Sequence, residues 1–149
     1  MLIANDILIP ELARLLAEGK EVRFTPSGVS MRPFIEGGKD SVVLEQVKDT
    51  PRVGDIILAQ VSVCSEHKTY VLHRLVRIEN GTYILQGDGN LTGEEHCGRD
   101  GIIGRVKRIE TPSGRKKPNP RGRLWFRLRP ARKWLLKIYR HSVLKWHYT

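Results

Sequence analysis

Between Glu21 and Glu110 short β-branched or alternating stretches are separated by glycine-marked turns, a pattern that commits most of the chain to strands. The stretches are residues 22–24, 41–44, 56–61, 71–78, 82–85 and 102–109. Gly37-Gly38, Asn80-Gly81 and Gly87-Asp88-Gly89-Asn90 punctuate them. Asn80-Gly81 between 71–78 and 82–85 predicts a tight hairpin, because both residues tolerate a left-handed backbone. No internal repeat is visible. With 40% hydrophobic residues in 149, the chain can bury one core, and that core is expected to be mainly β.

Helical patterns flank this region. Residues 5–18 place Leu8, Leu12, Leu15 and Leu16 on one face, with Asn5 or Asp6 as cap, Pro10 in the first turn and Gly19 as the stop. This face is expected to pack on the domain rather than on a partner. The sequence thus divides into a domain at 1–110, a Pro/Gly/basic linker at 111–123 and a basic amphipathic tail at 124–149. Within the tail, Leu135, Ile138, Tyr139, Ser142, Val143 and Trp146 share one side of an expected helix.

Charge is as segregated as structure. Residues 115–149 hold 12 of the 26 Lys and Arg residues and none of the 16 Asp and Glu, while residues 1–114 are nearly balanced. An electrostatic partner is therefore expected to meet the tail. The three tryptophans also lie there, which suits attachment to an anionic membrane surface. A solvated cationic helix is the plainer reading. Nucleic acid is disfavoured, because no base-reading motif accompanies the charge and the body is close to neutral.

No apolar run approaches the roughly 18–20 residues that a membrane-spanning helix requires. Asp6, Pro10 and Glu11 interrupt the apolar N-terminal stretch, which also lacks a basic leader, so a cytoplasmic location is the default expectation. Cys64 and Cys97 are too far apart in sequence for a CxxC pair, so no zinc site is expected, nor any other metal or cofactor. Two free thiols are the simpler reading and a disulfide the other.

Two residues carry candidate chemistry. Ser30 stands in Gly28-Val29-Ser30-Met31-Arg32-Pro33, where Gly28 permits a sharp turn and close approach and Pro33 stiffens the next turn. A serine there can present its hydroxyl and its own amide to a carbonyl, but it attacks only if a base removes its proton. Taken alone, such a serine is more often a turn residue. His73 lies in the apolar strand 71–78, where a polar side chain needs a reason. Histidine as a residue type works as a base near neutral pH with little tuning.

The segment Ser27-Gly28-Val29-Ser30-Met31-Arg32-Pro33-Phe34 resembles the serine box of signal peptidases and LexA-like repressor peptidases. Arg52-Val53-Gly54-Asp55-Ile56-Ile57, Val71-Leu72-His73-Arg74-Leu75-Val76 and Gly87-Asp88-Gly89-Asn90 followed by Asp100 to Val106 are similar to the family's later boxes, in the same order. The resemblance covers residues 22–110 and implies a coiled, partly barrel-like β fold. It implies Ser30 as nucleophile and His73 as general base, as in the endoplasmic-reticulum and archaeal branch, where most bacterial relatives use lysine. Met31 and Pro33 become candidates for the substrate cleft, and Gly28 and Ser30 for the oxyanion loop.

The family orients its histidine with an aspartate. The corresponding position here falls at Glu94, with Glu95 beside it, and Asp88 and Asp100 are further candidates. Asp88 has an alternative role in holding its own turn. The sequence also departs from the family in showing neither a membrane anchor nor a DNA-binding module before the β region. The expected function is a serine endopeptidase acting on a leader or precursor peptide. The alternatives are a non-catalytic peptide-binding module of the same fold, and a basic membrane-surface or nucleic-acid-associated protein.

Overall fold

The computed structural model describes residues 5–64, 67–90 and 93–117, together with positions 131, 134, 135, 137 and 138. One helix, α1 (Asn5–Ala17), precedes eight strands: β1 (Val22–Phe24), β2 (Ser41–Glu45), β3 (Ile56–Cys64), β4 (His67–Glu79), β5 (Thr82–Gln86), β6 (Glu95–Cys97), β7 (Ile102–Glu110) and β8 (Lys116–Lys117). They form one antiparallel sheet in the order β1-β2-β7-β3-β4-β5-β6, with β8 pairing β7 beside this path. The mainly β expectation holds, and all six stretches read as strands lie in strands.

Strand β3 organises the sheet because both of its faces are covered. Ile56 and Leu58 enter one core with Val42, Leu44, Val106 and Ile109. Ile57, Ala59 and Val61 enter a second core with Leu75, Tyr83, Leu85 and Cys97. A continuous apolar run such as Ile56-Ile57-Leu58-Ala59 is what a doubly buried strand requires. The sheet coils enough to bring Cys97 on β6 against β3 residues, yet it does not close into a barrel. The barrel-like expectation is corrected on this point: β1 and β6, three residues each, are the ends of the strand order and do not pair with one another.

The hairpin expected at Asn80-Gly81 joins β4 to β5, with φ of 49° at Asn80 and 76° at Gly81, the left-handed pair such turns need. Helix α1 ends as anticipated: the Gly19 and Lys20 amides donate to Leu16 and Leu15 carbonyls. Its described span starts at Asn5, so Pro10 lies beyond the first turn where it was expected. Ile9, Leu12 and Leu16 are buried in the first core, with Leu8 and Leu15 packed beside them. Arg14 on the outer side pairs with Glu11 and Glu18.

Two short strands escaped the sequence reading. β6 is too short and too polar to signal itself, and β8 lies within the stretch read as a linker. A turn closed by the Thr111 and Gly114 amides carries the chain from β7 back into β8. Cys97 is a free, buried thiol, and burial pushes its pKa up. No described helix is long and apolar enough to cross a membrane. The basic C-terminal helix expected from the sequence lies outside the described residues apart from five positions, of which Trp134 and Ile138 are exposed.

Packing of α1 on the sheet is testable through Leu16, which is 1% exposed. Leu16→Ala is expected to destabilise the chain by about 2–5 kcal/mol, as for buried leucines generally. Urea unfolding measures this. A change within a few tenths of a kcal/mol would mean that the helix face does not contribute to the core.

Candidate functional site

The serine-bearing loop comes after β1 and is built from successive tight turns. The Arg32 amide donates to the Val29 carbonyl, and the Phe34 and Ile35 amides donate to that of Met31. Gly38 N–H donates to the Pro26 carbonyl at 2.7 Å and closes the base of the loop. Gly28 has φ of 90°, a conformation that a side chain would strain. Gly37 lies so close that a Cβ there would sit 1.9 Å from the Gly28 carbonyl oxygen. The Arg32–Pro33 peptide is cis.

Across from this loop, β4 carries His73, which is 6% exposed. Its Nε2 lies 3.0 Å from Ser30 Oγ. Its Nδ1 lies 2.8 Å from Glu95 Oε2. A carboxylate has only acceptors, so Nδ1 carries the proton toward Glu95 and Nε2 is left to accept from the serine hydroxyl. Residues 43 positions and 22 positions apart in sequence thereby form one hydrogen-bonded chain.

Four carboxylates were candidates for the third place, and the structure brings only Glu95 to His73. Glu95 pairs with Leu85 across β5 and β6, and Cys97, two residues on, enters the core. Strand alternation therefore turns Glu95 inward and Glu94 outward. Glu94 instead accepts both Arg77 Nη1 and Nη2, at 2.9 and 2.8 Å. Asp100 is exposed in a single 3-10 turn, Arg99–Gly101. Asp88 is buried and bonded to Arg74.

Arg74 is the part of the site that the sequence reading passed over. It is fully buried, and its Nε and Nη2 donate to Asp88 Oδ1 and Oδ2 at 2.8 and 2.7 Å. Its Nη1 donates to the Gly54 carbonyl at 2.7 Å, and the guanidinium lies 5.4 Å from the centre of the Phe34 ring. Asp88 belongs to Gly87-Asp88-Gly89-Asn90, which supports the serine loop from below. The Gly89 amide donates to the Ser30 carbonyl at 2.8 Å, and the Asp88 amide approaches Met31 Sδ at 3.5 Å. A charged residue next to His73, flanked by the apolar Val71-Leu72 and Leu75-Val76, was the available signal. Alternation sends it to the opposite face, where a buried charge demands a partner.

A cleft of about 220 Å³ opens at Ser30 and His73. Gly28, Met31, Ile35, Tyr70 and Leu72 are among its walls. Of the cleft candidates, Met31 lines it and Pro33 does not. Among the described residues no group of His, Cys, Asp and Glu is arranged to hold a metal.

No protein-family model matches the chain, and neither curated proteins nor solved structures give a significant match.

The contact beneath Ser30 gives a test. A Cβ on Gly87 would lie 2.4 Å from the Ser30 carbonyl oxygen and 3.1 Å from Ser30 Cβ. Gly87→Ala is expected to displace Ser30 and lengthen the Ser30–His73 bond while β3 and β4 keep their pairing. Chemical shifts of Ser30 and His73 should move, with those of Leu58 unchanged; unmoved shifts at Ser30 would contradict the close packing.

Proposed function

We propose that the chain is a serine endopeptidase in which Ser30 attacks a peptide carbonyl. The observation that carries this reading is the continuous bonding of Ser30, His73 and Glu95 at the mouth of a cleft. As Ser30 Oγ bonds to the carbonyl carbon, its proton passes to His73 Nε2, and Glu95 stabilises the resulting imidazolium through Nδ1. In this reading the Ser30 amide donates to the oxyanion. His73 then protonates the departing amine, leaving an acyl ester on Ser30. Water, deprotonated by the same imidazole, releases the acid and restores the hydroxyl. The resemblance to signal peptidases supports the same pairing and suggests a precursor peptide cut after a small residue. A cleft of about 220 Å³ with Met31 and Ile35 in its walls suits a short side chain.

Labelling with a fluorophosphonate serine probe tests the nucleophile. The parent chain should be labelled at Ser30, and Ser30→Ala should abolish the adduct. His73→Ala should slow labelling by roughly 10²–10⁴-fold, the usual worth of a positioned base. Glu95→Gln should fall between the parent and His73→Ala, because the amide keeps a partner for Nδ1 without its charge. A folded parent that neither labels nor cleaves small-residue peptides would sink the peptidase reading in favour of a peptide-binding module.

We further propose that the cationic C-terminal segment attaches the protein to an anionic membrane surface. Its charge excess and clustered tryptophans favour this reading, and Trp134 and Ile138 are exposed. The full chain should co-sediment with vesicles containing phosphatidylglycerol and dissociate at about 0.5 M salt, where the screening length is only a few ångströms. Retention on neutral phosphatidylcholine vesicles to the same extent would count against an electrostatic attachment, as would failure to bind either.

A further inference from the structure

The serine loop is held at its far end by a residue from the root of the cationic segment. Asp40 closes that loop and is 4% exposed. Its Oδ2 accepts the Glu36 amide at 2.7 Å, and its own amide donates to the Glu36 carbonyl at 2.9 Å. The Glu36 carboxylate in turn receives Arg32 Nε and Nη2 at 2.9 and 2.6 Å. Arg32 is two residues beyond Ser30. A carboxylate as buried as that of Asp40 needs a counter-charge. The one it has among the described residues is Lys117, whose Nζ lies 2.7 Å from Oδ2. Lys117 is 77 residues away in sequence and ends β8, the two-residue strand on β7.

We propose that Lys117 is a positioning residue for Ser30, coupling the start of the cationic segment to the serine loop through Asp40, Glu36 and Arg32. Without its ammonium group the buried Asp40 carboxylate loses its counter-charge and turns toward water, which weakens its bond from the Glu36 amide. The turn carrying Arg32 then loses its fixed end, and Ser30 Oγ wanders from His73 Nε2. The consequence for activity rests on the serine-peptidase reading; the consequence for the loop does not.

The experiment compares the full chain with Lys117→Met and Lys117→Arg by amide hydrogen exchange and by the rate of fluorophosphonate labelling. In Lys117→Met the Glu36 amide should exchange roughly tenfold faster, the scale expected for losing a charge-assisted bond. Amides in the central strands, such as those of Leu58 and Leu85, should keep their protection. Labelling of Ser30 should slow, and Lys117→Arg, which keeps the charge, should restore both readouts. Unchanged Glu36 exchange would overturn the proposal. So would a uniform loss of protection through the sheet, which marks general destabilisation, or unchanged labelling despite a loosened loop. If the parent is not labelled at all, the peptidase reading falls separately, and the exchange result alone decides whether Lys117 holds the loop.

Discussion

The Arg74–Asp88 pair is the interaction on which the arrangement around Ser30 depends. Both groups are out of water, and each satisfies the other through two parallel bonds. Removing one partner of such a pair leaves an uncompensated buried charge, at a cost of about 3–5 kcal/mol. An apolar pair of the same volume could be as stable. The ion pair does something an apolar pair would not: it fixes direction. The planar guanidinium faces Asp88, the Gly54 carbonyl and the Phe34 ring at once. It thereby joins β4, the turn before β3, the serine loop and the turn at 87–90.

That junction explains how a short polar site survives on a coiled sheet. His73 and Arg74 are neighbours in β4, yet alternation gives them opposite duties. Arg74 locks the supporting turn from one face, and the turn presents Gly87 and Gly89 beneath Ser30. His73 meets Ser30 and Glu95 from the other. Ser30, His73 and Glu95 come from three separate elements, so their alignment depends on the register of β3, β4, β5 and β6. A one-residue slip in β4 would exchange His73 and Arg74 and destroy both features.

Much of the fold was readable because it rests on local chemistry. β-branched runs, the Asn80-Gly81 turn and the leucine face of α1 each impose their structure over a few residues. The elements that were missed depend on distant partners. β6 is Glu95-His96-Cys97, with little β-propensity, and it is a strand because β5 offers an edge. β8 is two lysines, held by β7 and by Asp40. The barrel-like expectation failed for a related reason, since closure depends on whether two distant edge strands meet.

The sequence by itself determined six of the eight described strands, the cationic end of the chain and the candidacy of Ser30 and His73. These come from side-chain type, periodicity and resemblance to a known serine box. Only the tertiary structure decided which carboxylate faces His73. Glu94 and Glu95 are chemically alike and adjacent, so composition and spacing cannot separate them. Strand pairing does, because β5 sets which of the two points inward beside Cys97 and which is left to Arg77. The same holds for Asp88 and Asp40, whose partners Arg74 and Lys117 are 14 and 77 residues away. A buried charge selects its counter-ion by geometry, and geometry over such separations exists only once the sheet has formed.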